Sequence, residues 1–317
     1  MSDTTAVHFR SIMAAVDFSP ASERALAWAA ALAERRGAEL RLVHAVPWAE
    51  PPDVLLALDG SAVQELLAAA RTRLDDLARP LRGRVRSVLC EAVMGPAPNV
   101  ILGAARAHKP ELLVLGTRGL RGWRHVLLGS TAQRVIGGAA CPVLAVHGDD
   151  RLPPARAWRL LAASDGSPEA RTAVREAVRQ LAPAEVVLLR AFEPPVFLAP
   201  EMPTFTILEA ARVGAEAQLR EEVVALAGDG IETRPVLRDG YPPEVITEAV
   251  ADLQADVVVL GTRGRGGVLH LPLGSTAERV AQRAPAPVMI VPRRAAPHLG
   301  EAAEALAIVG AAADEEC

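Results

Sequence analysis

The sequence predicts a doubly wound α/β fold present twice in tandem, and three observations carry that expectation. The first is an internal repeat. Residues 116–136 read GTRGLRGWRHVLLGSTAQRVI and residues 261–281 read GTRGRGGVLHLPLGSTAERVA, identical at thirteen of 21 positions without a gap. The offset of 145 residues is too long for a solenoid unit and fits a duplicated domain. The second is the alternation of short, near-continuous apolar runs with amphipathic stretches, the pattern of strands buried on both faces of a parallel sheet and joined by helices. The third is a serine followed by proline at 19–20 and at 167–168, an N-cap with proline at the first helical position, in register between the copies.

Taken in order, strands are expected near 11–16, 40–46, 85–93, 112–115 and 142–146, and in the second copy near 158–163, 185–191, 231–237, 256–260 and 287–291. Helices are expected near 20–36, 61–79, 97–109 and 130–137, then 168–181, 205–227, 242–254 and 275–283. Other landmarks repeat in the same order. VDFSPASERAL at 16–26 matches SDGSPEARTAV at 164–174, GPAPNVI at 95–101 matches GYPPEVI at 240–246, and CPVLAV at 141–146 matches APVMIV at 286–291. Between the copies, HGDDRLPPAR at 147–156 is polar and proline-rich, as an exposed linker is expected to be.

Composition narrows the functional classes. The net charge is −4, and five acidic residues (Glu301, Glu304, Asp314, Glu315 and Glu316) lie in the last seventeen residues, so the rest is near +1. Such a body has no general affinity for nucleic acid, and 3% aromatic residues leave few base-stacking platforms. Cys90, Cys141 and Cys317 form neither a disulfide framework nor a zinc spacing. No signal-peptide core and no apolar run long enough to span a bilayer occur, so a cytoplasmic protein without membrane partners is expected.

The motif with chemical content is G-x2-G-x9-G-S-T, found twice: Gly116, Gly119, Gly129, Ser130 and Thr131, then Gly261, Gly264, Gly274, Ser275 and Thr276. Gly116 and Gly261 end a strand, where ligands of open α/β sheets bind. Glycines admit φ > 0 and a close approach of backbone N–H to phosphate oxygens. The final Gly-Ser-Thr opens a helix whose free N–H groups and partial positive charge suit an anion. Arg118, Arg121, Arg263 and Arg265 could offset phosphate charge. The bland alternative is a glycine loop that turns the chain, which two copies at one spacing disfavour. Asp17 and Asp165 close the first strand of each copy; a carboxylate there serves adenine, ribose or a phosphate-bound metal, or only a turn and helix cap. His125 and His270 read as exposed loop residues, with a phosphate contact or an acid–base role as the alternative, His44 and Cys90 as packing residues in strands, and His108 as a helix-end residue favouring the dipole. GxxxxGK[ST], GxGxxG at a first βα turn and GxSxG are all missing, and no residue is nominated as a general base.

These residues resemble the universal stress protein domain: Asp17 with Ser19, the GPAP turn, LLVLGTRG, LLGSTAQRV and CPVLAV, all repeated in the second copy. The resemblance covers 9–148 and 157–293, leaving 294–317 as an acidic, alanine-rich tail. It implies two Rossmann-like (adenine nucleotide alpha hydrolase-like) domains, each a parallel sheet of five strands in the order 3-2-1-4-5 with helices on both faces. The last strands of the two domains would pair antiparallel to make an intramolecular pseudo-dimer, with a further homodimer open. The long glycine motif is the version of family members that bind ATP. By that resemblance ATP, with Mg as its companion ion, would be held in the first copy by Asp17, Ala45, Leu115, Gly116, Gly119, Gly129, Ser130 and Thr131. The second site would use Asp165, Ala191, Leu260, Gly261, Gly264, Gly274, Ser275 and Thr276. A bulkier β-branched residue often stands where Ala45 and Ala191 lie, and the loops differ at Trp123 against Val268 and Leu127 against Pro272, so equal affinity is not expected. The expected function is stress response or signalling through nucleotide occupancy. A slow ATPase or phosphotransferase and a nucleotide-independent scaffold are the rivals.

Overall fold

A computed structural model describes residues 11–47, 60–117, 128–193, 204–262 and 273–293. Ten strands run β1 (Ser11–Ala15), β2 (Glu39–Val46), β3 (Ser87–Met94), β4 (Leu112–Gly116), β5 (Val143–Val146), β6 (Arg159–Ala163), β7 (Glu185–Phe192), β8 (Arg234–Asp239), β9 (Val257–Gly261) and β10 (Val288–Val291). The helices are α1 (Pro20–Arg36), α2 (Gly60–Ala78), α3 (Ala97–His108), α4 (Ser130–Gly138), α5 (Pro168–Leu181), α6 (Thr204–Gly228), α7 (Pro242–Asp252) and α8 (Ser275–Arg283).

The strands make one ten-stranded sheet in the order β3-β2-β1-β4-β5-β10-β9-β6-β7-β8. Each half has the expected 3-2-1-4-5 order with parallel pairing, and the halves meet through β5 and β10, which run antiparallel. The register of that junction is self-complementary. Leu144 faces Met289, its own counterpart 145 residues on, while Val143 faces Ile290 and Ala145 faces Val288. Gln133 donates to Glu278, again its counterpart, at 3.0 Å. Such pairing of a surface with its own equivalent is the signature of a two-fold contact, here within one chain.

Two apolar layers flank the sheet. One packs α1, α2, α5 and α6 through Trp28, Leu32, Leu74, Ala173, Leu219 and Leu226 onto Ile12, Leu42 and Leu160. The other packs α3, α4, α7 and α8 through Ile101, Val135, Ile246 and Val280 onto Met13, Leu115, Leu161 and Leu260. Alternate strand residues feed opposite layers, so near-continuous apolar strands are required. The edge strands β3 and β8 are more exposed. β8 begins at Arg234, three residues later than its apolar pattern suggests, and carries Pro235, which an edge position tolerates.

The linker is exposed at Asp149, Arg151, Leu152, Ala155 and Arg156, as expected, but not throughout. His147 and Asp150 are buried, and the Asp150 carboxylate accepts the His147 N–H at 2.6 Å. Arg151 and Arg156 carbonyls accept from Trp28 Nε1 (2.9 Å) and Arg35 Nη1 (3.0 Å). Trp158 then packs edge-on against Trp28 with centroids 4.9 Å apart. Two carbonyls of the segment thus satisfy donors of α1, while half of its residues keep the exposure that a polar, proline-rich composition predicts. The tail 294–317 lies outside the described residues.

Candidate functional site

The site is built at the carboxyl ends of β1, β2 and β4, and again at β6, β7 and β9. Register brings the ends together: Ala15 pairs with both Val43 and Leu115, and Val16 N–H reaches Val43 O at 2.9 Å. Ala45, Leu115 and α4 Ala132 share one apolar layer, as do Ala191, Leu260 and α8 Ala277. The apolar residues assigned to base and ribose therefore lie on the face of the sheet from which α4 and α8 start.

Asp17 and Asp165 do the same local work. Each Oδ1 accepts the N–H two residues on, Ser19 or Ser167, at 3.0 Å, and each serine Oγ then caps its helix through Ser22 N–H (3.2 Å) or Ala170 N–H (3.1 Å). The turn-and-cap role is thus real for one carboxylate oxygen in both copies. The residue between, Phe18 (φ 60°) or Gly166 (φ 78°), is left-handed, which is strained for phenylalanine.

The glycine motif needs two corrections. Gly129 and Gly274 have φ of −60° and −71°, so neither uses the left-handed freedom assigned to them. Their N–H groups donate to Thr117 O and Thr262 O, both at 2.8 Å, and so are already committed. Intrahelical bonding begins with Gln133 N–H and Glu278 N–H, both to the preceding glycine carbonyl at 2.9 Å. The donors that precede that ladder belong to Ser130, Thr131 and Ala132, and to Ser275, Thr276 and Ala277, and neither helix carries a side-chain cap. An uncapped helix start offers its free N–H groups to an anion. Gly116 has another reason to be glycine. A Cβ there would sit 2.8 Å from Ala21 C and 2.9 Å from Ser22 N, so the close passage of β4 under the first turn of α1 excludes a side chain. The turn glycines Gly95 (φ 144°) and Gly240 (φ 129°) do require the positive φ.

Gly119, Gly264, Arg118, Arg121, Arg263, Arg265, His125, His270, Trp123, Val268, Leu127 and Pro272 lie outside the described residues. His44, read as a packing residue, also places Nδ1 2.7 Å from Val16 O and its ring 4.6 Å from Phe18, over which Arg73 stacks at 3.8 Å. His108 lies in the last turn of α3, as expected, and also meets Glu91 at 3.0 Å.

The second copy replaces that aromatic stack with a buried polar cluster that the motif search missed. Ser164 Oγ donates to Glu222 Oε1 at 2.5 Å and accepts Gly166 N–H at 3.0 Å, while Arg190 Nη2 donates to Asp165 O and Gln218 Oε1. Burial pushes the Glu222 carboxyl above its ordinary range; Ser164, Arg190 and Arg171 oppose that and Asp165 adds to it. The signal was available: Ser164 and Arg190 stand where the first copy has Val16 and His44. The helix starts also differ, since α4 has no acidic residue in its first turn and α8 has Glu278.

A family profile described as the universal stress protein family matches the chain twice, at 8–147 and 158–292. A universal stress protein of Mycobacterium tuberculosis is 30% identical over 298 residues, 88% of this chain and 95% of the relative. One of Mycolicibacterium smegmatis is 28% identical over 294 residues, covering 88% and 96%. Among solved structures, a universal stress protein from Archaeoglobus fulgidus superposes with a TM-score of 0.62 at 20% identity, over 90% of this chain and 98% of that one. A putative universal stress protein from Pseudomonas aeruginosa gives 0.60 at 21%, over 90% and 94%. At those identities the two structures speak for the fold alone, but the profile spans nearly the whole described chain, twice and in order. The chain belongs to the universal stress protein family and carries that family's domain in tandem.

Proposed function

We propose that each half binds one adenine nucleotide, ATP in the first instance, and that occupancy is the protein's signal in a stress response. The observation that carries this reading is that, in both copies, a helix start without a side-chain cap is tied to the residue just past β4 or β9, and an aspartate follows β1 or β6, the strand paired beside it. The N–H groups and hydroxyls of Ser130 and Thr131, or of Ser275 and Thr276, would hold phosphate oxygens, with Gly119 and Gly264 assigned to the same task. Asp17 with Ala45, Leu115 and Gly116, or Asp165 with Ala191, Leu260 and Gly261, would take ribose and base. Magnesium would be carried on the phosphates; among the described residues no three His, Cys, Asp or Glu side chains gather as a metal site. No helix among the described residues is long and apolar enough to cross a membrane.

The first site is the tighter one, because Glu278 puts a negative charge in the first turn of α8 where α4 has Gln133. Mass spectrometry of the denatured protein tests whether nucleotide co-purifies, and titration calorimetry on stripped protein should give a stoichiometry approaching two with unequal affinities. Zero binding would refute the nucleotide reading and leave a scaffold. Steady phosphate release at roughly 1–100 per second, the range of kinases, abolished by Asp17→Ala with Asp165→Ala, would make the protein an enzyme instead.

A further inference from the structure

The inward stripe of α6 carries Leu219, Glu222 and Leu226 at helical spacing, all buried. On α2, the first half's helix in the same layer, the buried stripe is Ala70, Leu74 and Ala78, wholly apolar. A carboxyl in such a stripe is costly to bury unless its oxygens are hydrogen-bonded. One of them is: Oε1 accepts Ser164 Oγ at 2.5 Å. The other, Oε2, has no hydrogen-bond partner among the described residues.

The contacts of this carboxyl lead to the turn between β6 and α5. Ser164 Oγ, aligned by Glu222, accepts Gly166 N–H at 3.0 Å, and Gly166 holds the left-handed φ of 78°. Arg190 Nη2, from β7, donates to Asp165 O (3.2 Å) and to Gln218 Oε1 (2.8 Å), one helical turn before Glu222 on α6. Asp165 Oδ1 in turn accepts Ser167 N–H, and Ser167 caps α5. The Asp165 turn is therefore tied to α6 through Ser164 and Arg190. The first half is built differently. Val16 and His44 stand in those two places, and Asp17 N–H donates to Ser22 Oγ at 3.3 Å, within its own turn and helix.

We propose that Glu222 is the positioning residue of the Asp165 turn, acting through Ser164 and Arg190, and that it thereby sets the second half's nucleotide site and not the first. The link to nucleotide rests on the proposed function; the link to the turn does not. The charged groups that face the carboxyl are Arg190 on β7, Arg171 on α5 and Asp165 in the turn itself. Burial keeps the carboxyl neutral above the ordinary carboxylate range. Once ionised, the bare Oε2 competes with Asp165 O for Arg190, so the turn loses a tie as pH rises.

Hydrogen exchange read by mass spectrometry on the full chain follows a peptide covering 164–170, with one covering 16–22 as internal control, each variant being compared with wild type at the same pH. Glu222→Ala should lower the protection of 164–170 roughly tenfold, the order expected when one buried hydrogen-bond partner is removed, and leave 16–22 unchanged. Glu222→Gln keeps the acceptor and cannot ionise. It should match wild type at acid pH and be the better protected at 164–170 as pH rises through the raised carboxyl value, a divergence that a space-filling role would not produce. Unchanged protection of 164–170 in Glu222→Ala would overturn the proposal. So would an equal loss at 16–22, which reports general loosening, and so would Glu222→Gln tracking wild type at every pH. In titrations with ATP, the weaker of the two binding steps should weaken further in Glu222→Ala and recover in Glu222→Gln; two unchanged steps would overturn the link to nucleotide. Wild type that binds no ATP would refute the nucleotide reading instead, and the exchange result would still decide what Glu222 does to the turn.

Discussion

Replacing Gly116 by alanine separates a packing glycine from a ligand-facing one. The new Cβ would lie 2.8 Å from Ala21 C, 2.9 Å from Ser22 N and 3.0 Å from Ala21 Cβ. Two of these are backbone atoms in the first turn of α1, which Asp17 and Ser19 pin to the strand end, so relief requires moving the helix start rather than a side chain. Overpacking of that kind costs about 1–3 kcal/mol, and for a molecule of this size each kcal/mol lowers Tm by about 2–4 °C. Gly129→Val is the control. Its φ of −60° and ψ of 146° suit a β-branched residue, and its N–H bond to Thr117 is retained. That change should cost no more than about 1 kcal/mol, the scale of losing a favourable N-cap residue. Urea denaturation of the two variants beside wild type decides the matter. If Gly116→Ala unfolds at the wild-type midpoint, or Gly129→Val is the more destabilised of the two, the assignment of these glycines is wrong.

Three other outcomes follow from the same geometry. ATP at 100-fold excess over Kd should stabilise the wild type by about 2.7 kcal/mol; Gly129→Val with Gly274→Val should abolish the shift in Tm, and a wild-type shift in that double variant would remove the glycine loops from the site. Glu222 has a folded-state pKa raised above its unfolded value, so the native state holds its proton more tightly and that stabilisation is lost as pH rises from the unfolded value through the folded one. Glu222→Gln keeps the acceptor for Ser164 Oγ and should gain stability relative to wild type across that window, read by denaturation at several pH values; identical pH profiles would show that the buried carboxyl is not the titrating group. Met289→Ala empties a fully buried position opposite Leu144 on the two-fold junction and should cost about 2–5 kcal/mol, measured by urea unfolding; a cost below 1 kcal/mol would mean that the junction contributes little.

The repeat, the alternation of apolar runs, the Ser-Pro helix starts and the Gly-Ser-Thr before α4 and α8 are local signals, written in neighbouring residues and spacing, and α1, α5 and α8 run the residues that spacing indicated. Adjacency across the sheet is not local. Only the tertiary structure places Ala21 against Gly116, and that contact gives a glycine of the motif a packing requirement of its own. Only the structure commits Gly129 N–H to Thr117 O, shifting the available donors one residue into the helix. Ser164, Arg190 and Glu222 sit on three separate elements, so no motif could join them, although the mismatch of Ser164 with Val16 and of Arg190 with His44 lay open between the copies. The linker makes the same point: composition reports the polarity of 147–156, but which polar groups meet water and which meet protein depends on what folds beside them, and here that is α1 with Trp28 and the turn before β9 with Asp256. The sequence by itself determined the elements, their duplication and the family; the tertiary structure decided which backbone donors at the helix starts are taken and how the halves are fastened, because those depend on distances between residues far apart in the chain.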